Sequence, residues 1–288
     1  MEEVHEYLQP NGILVVVGGK ESKGEDKPEN KTAPDNFTGQ EILKAFIELT
    51  GKEDPNIIVV TSASTLKEES FEDYYKVFTE LGVKNVTNVH HYIRQEVLDD
   101  TSLEEQVNTA DGFFFSGGDQ LLLASLYGGT AFLTRLKERY IGEKIVIGGT
   151  SAGAMAMSTP MIYAGSKEVQ ELAGEIKVTT GLEFMKDVCI DTHFVHRGRF
   201  IRLAQVIATN PTCIGIGIEE DTAMVVRKGK DVEIIGSGTM IFMEGFRISN
   251  TNIDEFGRKK LITIRDLNVH ILSKGDKYEI KHINPPHY

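Results

Sequence analysis

Lys144-Ile145-Val146-Ile147-Gly148-Gly149-Thr150-Ser151-Ala152-Gly153-Ala154 is the stretch whose reading decides the fold. A β-branched apolar run enters a glycine-lined turn, and the turn opens a helix at a serine. An apolar run without polar alternation is the mark of a strand buried on both faces. Gly149-x-Ser151-x-Gly153 fits the nucleophile-elbow pattern, in which a serine on a strained turn exposes its oxygen above a sheet. Neighbouring amides in such a turn are free to bind an oxyanion. Serine is also a favoured helix N-cap, so the stretch by itself leaves a plain strand-to-helix turn open.

Outward from this turn, similar apolar runs recur at residues 13–17, 56–61, 86–90, 112–116, 144–147, 188–191 and 213–218. Helix-like segments fall between the early ones, near 40–50, 67–81, 102–109, 120–127 and 130–140. Leu103 and Val107, and Phe78 and Leu81, recur at helical spacing. Apolar strands alternating with helices predict an α/β fold, a doubly wound, mostly parallel sheet flanked by helices. Ligands of such a sheet bind beyond the carboxyl ends of its strands. There stand Gly18-Gly19-Lys20, Thr61-Ser62, Ser116-Gly117-Gly118-Asp119, the elbow itself and Asp191-Thr192-His193. Residues 21–36 are polar with two prolines and are expected to be a mobile loop at the mouth of the site. From Thr222 onward short strands at 223–227, 232–235 and 239–243 predict a β-rich cover on one sheet edge. The expected organisation is one α/β domain, its core about 12–224, with a β-rich extension at 225–288 packed on it.

Composition excludes several classes. A formal charge of −12 argues against a nucleic-acid binder. The first apolar run, at 13–17, stops at Gly18-Gly19 and is too short for a secretory or membrane segment, so a cytoplasmic protein is expected. Cys189 and Cys213 lie in apolar strand-like contexts, which favours reduced thiols over a disulfide framework. No His/Cys/Asp grouping has metal-ligand spacing. The run Val15-Val16-Val17-Gly18-Gly19-Lys20 lacks both the P-loop and the dinucleotide spacing, so no cofactor is expected.

A serine nucleophile needs a base, and His193 at a strand end is the best placed of eight histidines, expected in the same sheet as the elbow. The carboxylate that orients it is open among Glu168, Glu171, Asp191 and the cluster Glu219-Glu220-Asp221. Oxyanion donors are expected from the Ala152 N–H and the Gly117-Gly118 turn. Arg197, Arg199 and Arg202 gather where a helix starts, against the macrodipole preference for acids. That placement hints at carboxylate binding by guanidinium forks.

Four motifs in order carry a family resemblance: Phe115-Ser116-Gly117-Gly118-Asp119-Gln120, Gly148 to Ala154, Asp191-Thr192-His193-Phe194, and Arg197-Gly198-Arg199 with Arg202-Leu203. Together they resemble the cyanophycinase family of serine peptidases, related to aspartyl dipeptidase, over about residues 12–224. The resemblance implies a flavodoxin-like or class I glutamine amidotransferase-like sheet. It also implies a cytoplasmic, homodimeric serine exopeptidase that hydrolyses cyanophycin, multi-L-arginyl-poly-L-aspartate, to β-Asp-Arg dipeptides. By position it implies Ser151 as nucleophile, His193 as general base and Glu168 as acid, with the oxyanion held by Ala152 and Gly118. Gln120, Asp191, Thr192 (where the family usually has glutamine), Arg197, Arg199 and Arg202 would bind substrate. An aspartyl dipeptidase of small Asp-X peptides is the nearest alternative, and a non-catalytic binding protein on the same fold the next. Each substrate unit carries a guanidinium and a carboxylate, so the site needs both signs of charge: arginines for one, and an acid such as Asp191 or Glu220 for the other.

Overall fold

Five parallel strands form one side of the main sheet: β1 (Ile13–Val17), β2 (Asn56–Val60), β3 (Asn85–Val89), β4 (Gly112–Phe115) and β5 (Val146–Thr150). Their spatial order is β1-β5-β4-β2-β3. The structure, a computed structural model, describes residues 9–24, 40–165 and 169–281. Residues 25–36 of the predicted loop therefore lie outside the described residues.

The strands form where apolar residues continue without polar alternation, and the structure shows why. Leu14 and Val16 join one hydrophobic cluster while Val15 and Val17 join another. Ile58 and Val60 part from Ile57 and Val59 in the same way, and Phe113 and Phe115 from Phe114. Successive strand residues point to opposite faces, so a sheet covered on both sides needs apolar residues at every position. Helices α1 (Glu41–Leu49) and α2 (Lys67–Glu80) cover one face through Leu43, Phe46, Tyr74 and Phe78. Phe46 meets Phe114 edge-on, with ring centroids 5.3 Å apart. Helices α3 (Arg94–Asp99), α4 (Leu103–Thr109), α5 (Gln120–Tyr127) and α6 (Ala131–Gly142) contribute to the other cluster. The fold class read from the sequence is the one observed. β5 runs on to Thr150, past the expected end at 147, because its pairing with β1 continues to Val17 opposite Thr150.

One expectation is corrected. The strands Val188–Thr192 and Ile214–Ile218 pair in parallel with each other in a second, six-stranded sheet, not in the sheet that carries the elbow. Ile190, Ile214, Ile216 and Ile218 share the cluster of Leu14 and Val16, while Cys189 and Cys213 face a cluster with Leu203, Val206 and Ile207 of α8 (Phe200–Thr209). These strands are buried on both faces, so their sequence is indistinguishable from that of a main-sheet strand.

The carboxyl-terminal strands serve both sheets rather than one edge. Thr222–Arg227, Asp231–Gly236 and Lys277–Glu279 extend the main sheet beyond β1 as an antiparallel meander. Thr239–Glu244 and Asn268–Ser273 extend the second sheet. The chain thus crosses from the second sheet to the main one between Ile218 and Thr222. That crossover passes beside the carboxyl end of β1, where the Gly18 N–H donates to the Thr222 carbonyl at 2.9 Å. Among the described residues no helix is long and apolar enough to cross a membrane.

Candidate active site

The elbow is built at the end of β5. Ser151 has φ 51° and ψ −112°, a left-handed conformation that costs a non-glycine residue on the order of 1–3 kcal/mol. Its N–H donates to the Val17 carbonyl at 3.1 Å, and its carbonyl accepts from Met155 at 3.0 Å to start α7 (Ala152–Ala156). The turn closes tightly enough that a Cβ on Gly149 would stand 2.7 Å from the Gly153 carbonyl carbon. A Cβ on Gly153 would overlap the Phe115 carbonyl of β4, so both outer positions of the motif require glycine. The Ser151 hydroxyl forms no capping bond to its helix; it lies 3.0 Å from His193 Nε2. Of the two arrangements the sequence left open, the hydroxyl is turned to the histidine and not to its own helix.

His193 follows Val188–Thr192 and also takes a positive φ, 49°. Its N–H donates to the Gly18 carbonyl at 2.9 Å, which ties the second sheet to the end of β1. Gly19 lies against the imidazole, and a Cβ there would occupy the ring's space. His193 Nδ1 is 2.7 Å from Glu220 Oε1. An Nδ1–H donated to that carboxylate leaves Nε2 as acceptor for the serine hydroxyl. Burial pushes the imidazole below its usual pKa; the Glu220 hydrogen bond opposes this, and Arg197 and Arg199 reinforce it. Burial alone would raise the Glu220 pKa, but hydrogen bonds from His193 and Lys20 hold it below the ordinary carboxylate value.

Glu220 sits in the crossover between the two sheets, and its acidic neighbours have separate tasks. Glu219 accepts from the Val195 and His196 amides at 2.5 and 3.0 Å, fixing the turn after His193. Asp221 accepts from the Ser22 amide at 2.9 Å and from Ser237 Oγ at 2.6 Å. The expected acid, Glu168, lies outside the described residues. Glu171 is exposed, on a segment whose backbone pairs with Ile262. Asp191 sits behind Thr192 and carries no bond to the imidazole among the described residues.

A cleft of about 350 Å³ opens beside Ser151. Gly118 and Ala152 both line it, and the Ala152 N–H is the first of α7 and so has no partner within its own helix. Gln120 lines it too, its side-chain amide donating to the Ile162 carbonyl at 2.8 Å. Tyr163, on the strand Met161–Ala164, adds an aromatic wall that the sequence reading missed.

The three arginines divide. Asp191 is fully buried and binds Arg199 Nη1 at 3.0 Å and Arg202 Nε at 2.6 Å. Its expected role toward substrate is corrected on that ground: both carboxylate oxygens already face guanidinium groups of the protein. Basic residues at the start of α8 are tolerated because this buried carboxylate neutralises them. All three arginines line the cleft, but the Arg197 side chain is exposed and, unlike the other two, makes no hydrogen bond or ion pair to a described residue. Thr192 also lines the cleft; its Oγ1 is buried and unpartnered.

Two further contributors follow β1. Lys20 lies 3.2 Å from Glu220 Oε1. Glu21, nearly buried, accepts from Thr150 Oγ1 at 2.5 Å and from the Tyr74 hydroxyl, bracing the residue before Ser151. Glycines at a strand's carboxyl end point to this segment in the sequence, but nothing there points to its contacts.

A family model described as Peptidase family S51 matches residues 31–235. The cyanophycinase of Geminocystis herdmanii is 34% identical over 282 residues, covering 97% of each chain. The cyanophycinase of Synechococcus elongatus is 30% identical over 277 residues, 96% of this chain and 82% of that one. The crystal structure of a peptidase from an acI-B1 Actinobacterium superposes with a TM-score of 0.65 at 21% identity, over 94% of this chain and 98% of the other. At that identity the superposition speaks for the shared fold alone. The matched segment holds Ser151, His193 and Glu220, and the chain belongs to peptidase family S51, as a serine-type peptidase.

Proposed function

We propose that this peptidase hydrolyses cyanophycin to β-Asp-Arg dipeptides through an acyl-enzyme at Ser151. The observation that carries the reading is the continuous chain from Ser151 Oγ to His193 Nε2, 3.0 Å, and from His193 Nδ1 to Glu220, 2.7 Å, on a serine freed from capping. Ser151 attacks the backbone carbonyl beside a β-arginyl-aspartate while its proton passes to His193 Nε2. Glu220, in the role expected of Glu168, holds the tautomer and stabilises the imidazolium without taking its proton. The Ala152 and Gly118 amides bind the oxyanion as charge develops. The imidazolium then protonates the leaving amine, and water, deprotonated by His193, releases the dipeptide. Arg197 is the guanidinium available for a substrate carboxylate, since Arg199 and Arg202 are held by Asp191. The same reading extends to a cytoplasmic homodimer, which sedimentation of the purified protein and localisation of the tagged chain check.

Purified protein incubated with cyanophycin should release β-Asp-Arg, identified by mass spectrometry, and Ser151→Ala should release none. No dipeptide from the wild-type chain sinks the substrate assignment. The cleft, at about 350 Å³, is small, and this favours one second reading, an aspartyl dipeptidase. Hydrolysis of Asp-X dipeptides with the polymer untouched would establish that reading instead.

A further inference from the structure

We infer that Lys20 is a positioning residue that sets the basicity of His193 through Glu220. The inference rests on the reading of His193 as general base, and it comes from an arrangement around a single oxygen. Glu220 Oε1 receives His193 Nδ1 at 2.7 Å and Lys20 Nζ at 3.2 Å. A carboxylate oxygen shared between an imidazole and an ammonium gives each less than it would give alone. The acceptor strength that would pull a proton onto His193 is partly spent on Lys20.

Lys20 is placed for this by the backbone. It has φ 45°, directly after Gly19, whose carbonyl accepts from the Asp221 amide at 2.9 Å. Glu21 and Ser22 are fixed on the other side, by Thr150 and Tyr74 and by Asp221. A side chain leaving this strap at residue 20 is held over the crossover that carries Glu220. Lys20 is 63% exposed, so its removal opens no cavity and its charge acts through a partly solvated path.

Among the described residues, the charges acting on the pair can be named. Glu220 faces His193 and Lys20; His193 faces Glu220, with Arg197 and Arg199 as the cations acting on it. Glu219 and Asp221 are turned to backbone amides and to Ser237. Lys20 keeps Glu220 ionised, which preserves the hydrogen bond to His193, and weakens it as a proton sink. The two effects leave His193 neutral, and so competent as a base, to lower pH than the carboxylate alone would allow.

The test follows the His193 ring by NMR in full-length protein labelled with ¹³C-histidine, at low ionic strength, with His193→Gln to assign the signal. This readout needs no substrate, so a failure of the cyanophycin assignment leaves it intact. Lys20→Met should titrate at higher pH than wild type, the imidazolium-to-imidazole ratio at fixed pH rising roughly two- to fivefold, the scale of an exposed ion pair. Lys20→Arg should restore the wild-type titration. In a Glu220→Gln background Lys20→Met should shift it far less. A Lys20→Met titration equal to or below wild type overturns the inference, as does a shift of full size without Glu220.

Discussion

Ser151 and Glu220, the proposed nucleophile and acid, come from parts of the molecule that follow different rules. Ser151 belongs to one continuous unit, Val146 to Ala156, in which β5, a glycine-framed turn and α7 determine one another through backbone sterics. Glu220 belongs to a crossover of a few residues whose position depends on two sheets at once. Move either sheet and the acid leaves the histidine, while the elbow keeps its shape. The contrast teaches that a strained serine turn is a local property of the chain, whereas the carboxylate behind the histidine is a property of topology.

The largest effect expected is at the local end. Ser151→Ala should lower kcat by roughly 10⁴–10⁶-fold with the protein still folded, because the residual rate then comes from binding and the oxyanion site alone. Activity within tenfold of wild type on the cyanophycin assay would break the assignment of the elbow. Next comes the topological end. Glu220→Gln keeps the shape of the contact but not its charge and should lower kcat on the order of 10³–10⁴-fold, with KM little changed. Glu168→Gln and Glu171→Gln should each cost less than tenfold. If Glu168→Gln shows the larger loss, the acid lies in the segment after the elbow helix, and the contrast between the two regions disappears.

A buried charge cluster extends the comparison to stability. Asp191→Ala would leave Arg199 and Arg202 facing an empty apolar position, at a cost of about 3–5 kcal/mol. Urea denaturation should show that loss, while Arg197→Gln, on an exposed and unpaired side chain, should leave the unfolding free energy within about 0.5 kcal/mol of wild type and raise KM instead. Equal effects of the two substitutions on stability would contradict the division of the arginines.

This division marks what the sequence made legible. The parallel core could be read because strands buried on both faces are continuously apolar, and the elbow because only glycine fits at positions 149 and 153. His193 was visible as a histidine at a strand end, though not the fact that its strand lies in another sheet: Val188-Cys189-Ile190 has the same apolar pattern either way. Glu220 stood in view within an acidic triplet, but three adjacent carboxylates look alike until the hydrogen bonds assign one to a turn, one to the base and one to a neighbouring loop. Asp191 misled for a related reason. A carboxylate near three arginines reads as substrate recognition unless its burial is known.

The smallest effect, and the one that probes both regions together, is the pH dependence of kcat/KM, which reports ionisations of the free enzyme. On the proposed mechanism His193 must be neutral to accept the serine proton, so activity should fall as pH drops through its pKa. Burial lowers that pKa from the ordinary histidine value of 6.5, and Arg197 and Arg199 add to the lowering, so the acid limb should lie below pH 6.5. Glu220 supplies the opposing pull. Its removal in Glu220→Gln should therefore move the limb further toward acid even as the plateau drops, giving a slower enzyme that stays protonation-competent at lower pH. Arg197→Gln should move the limb the other way. A limb that shifts upward in Glu220→Gln would mean that another carboxylate sets the imidazole, and that the crossover does not govern the base.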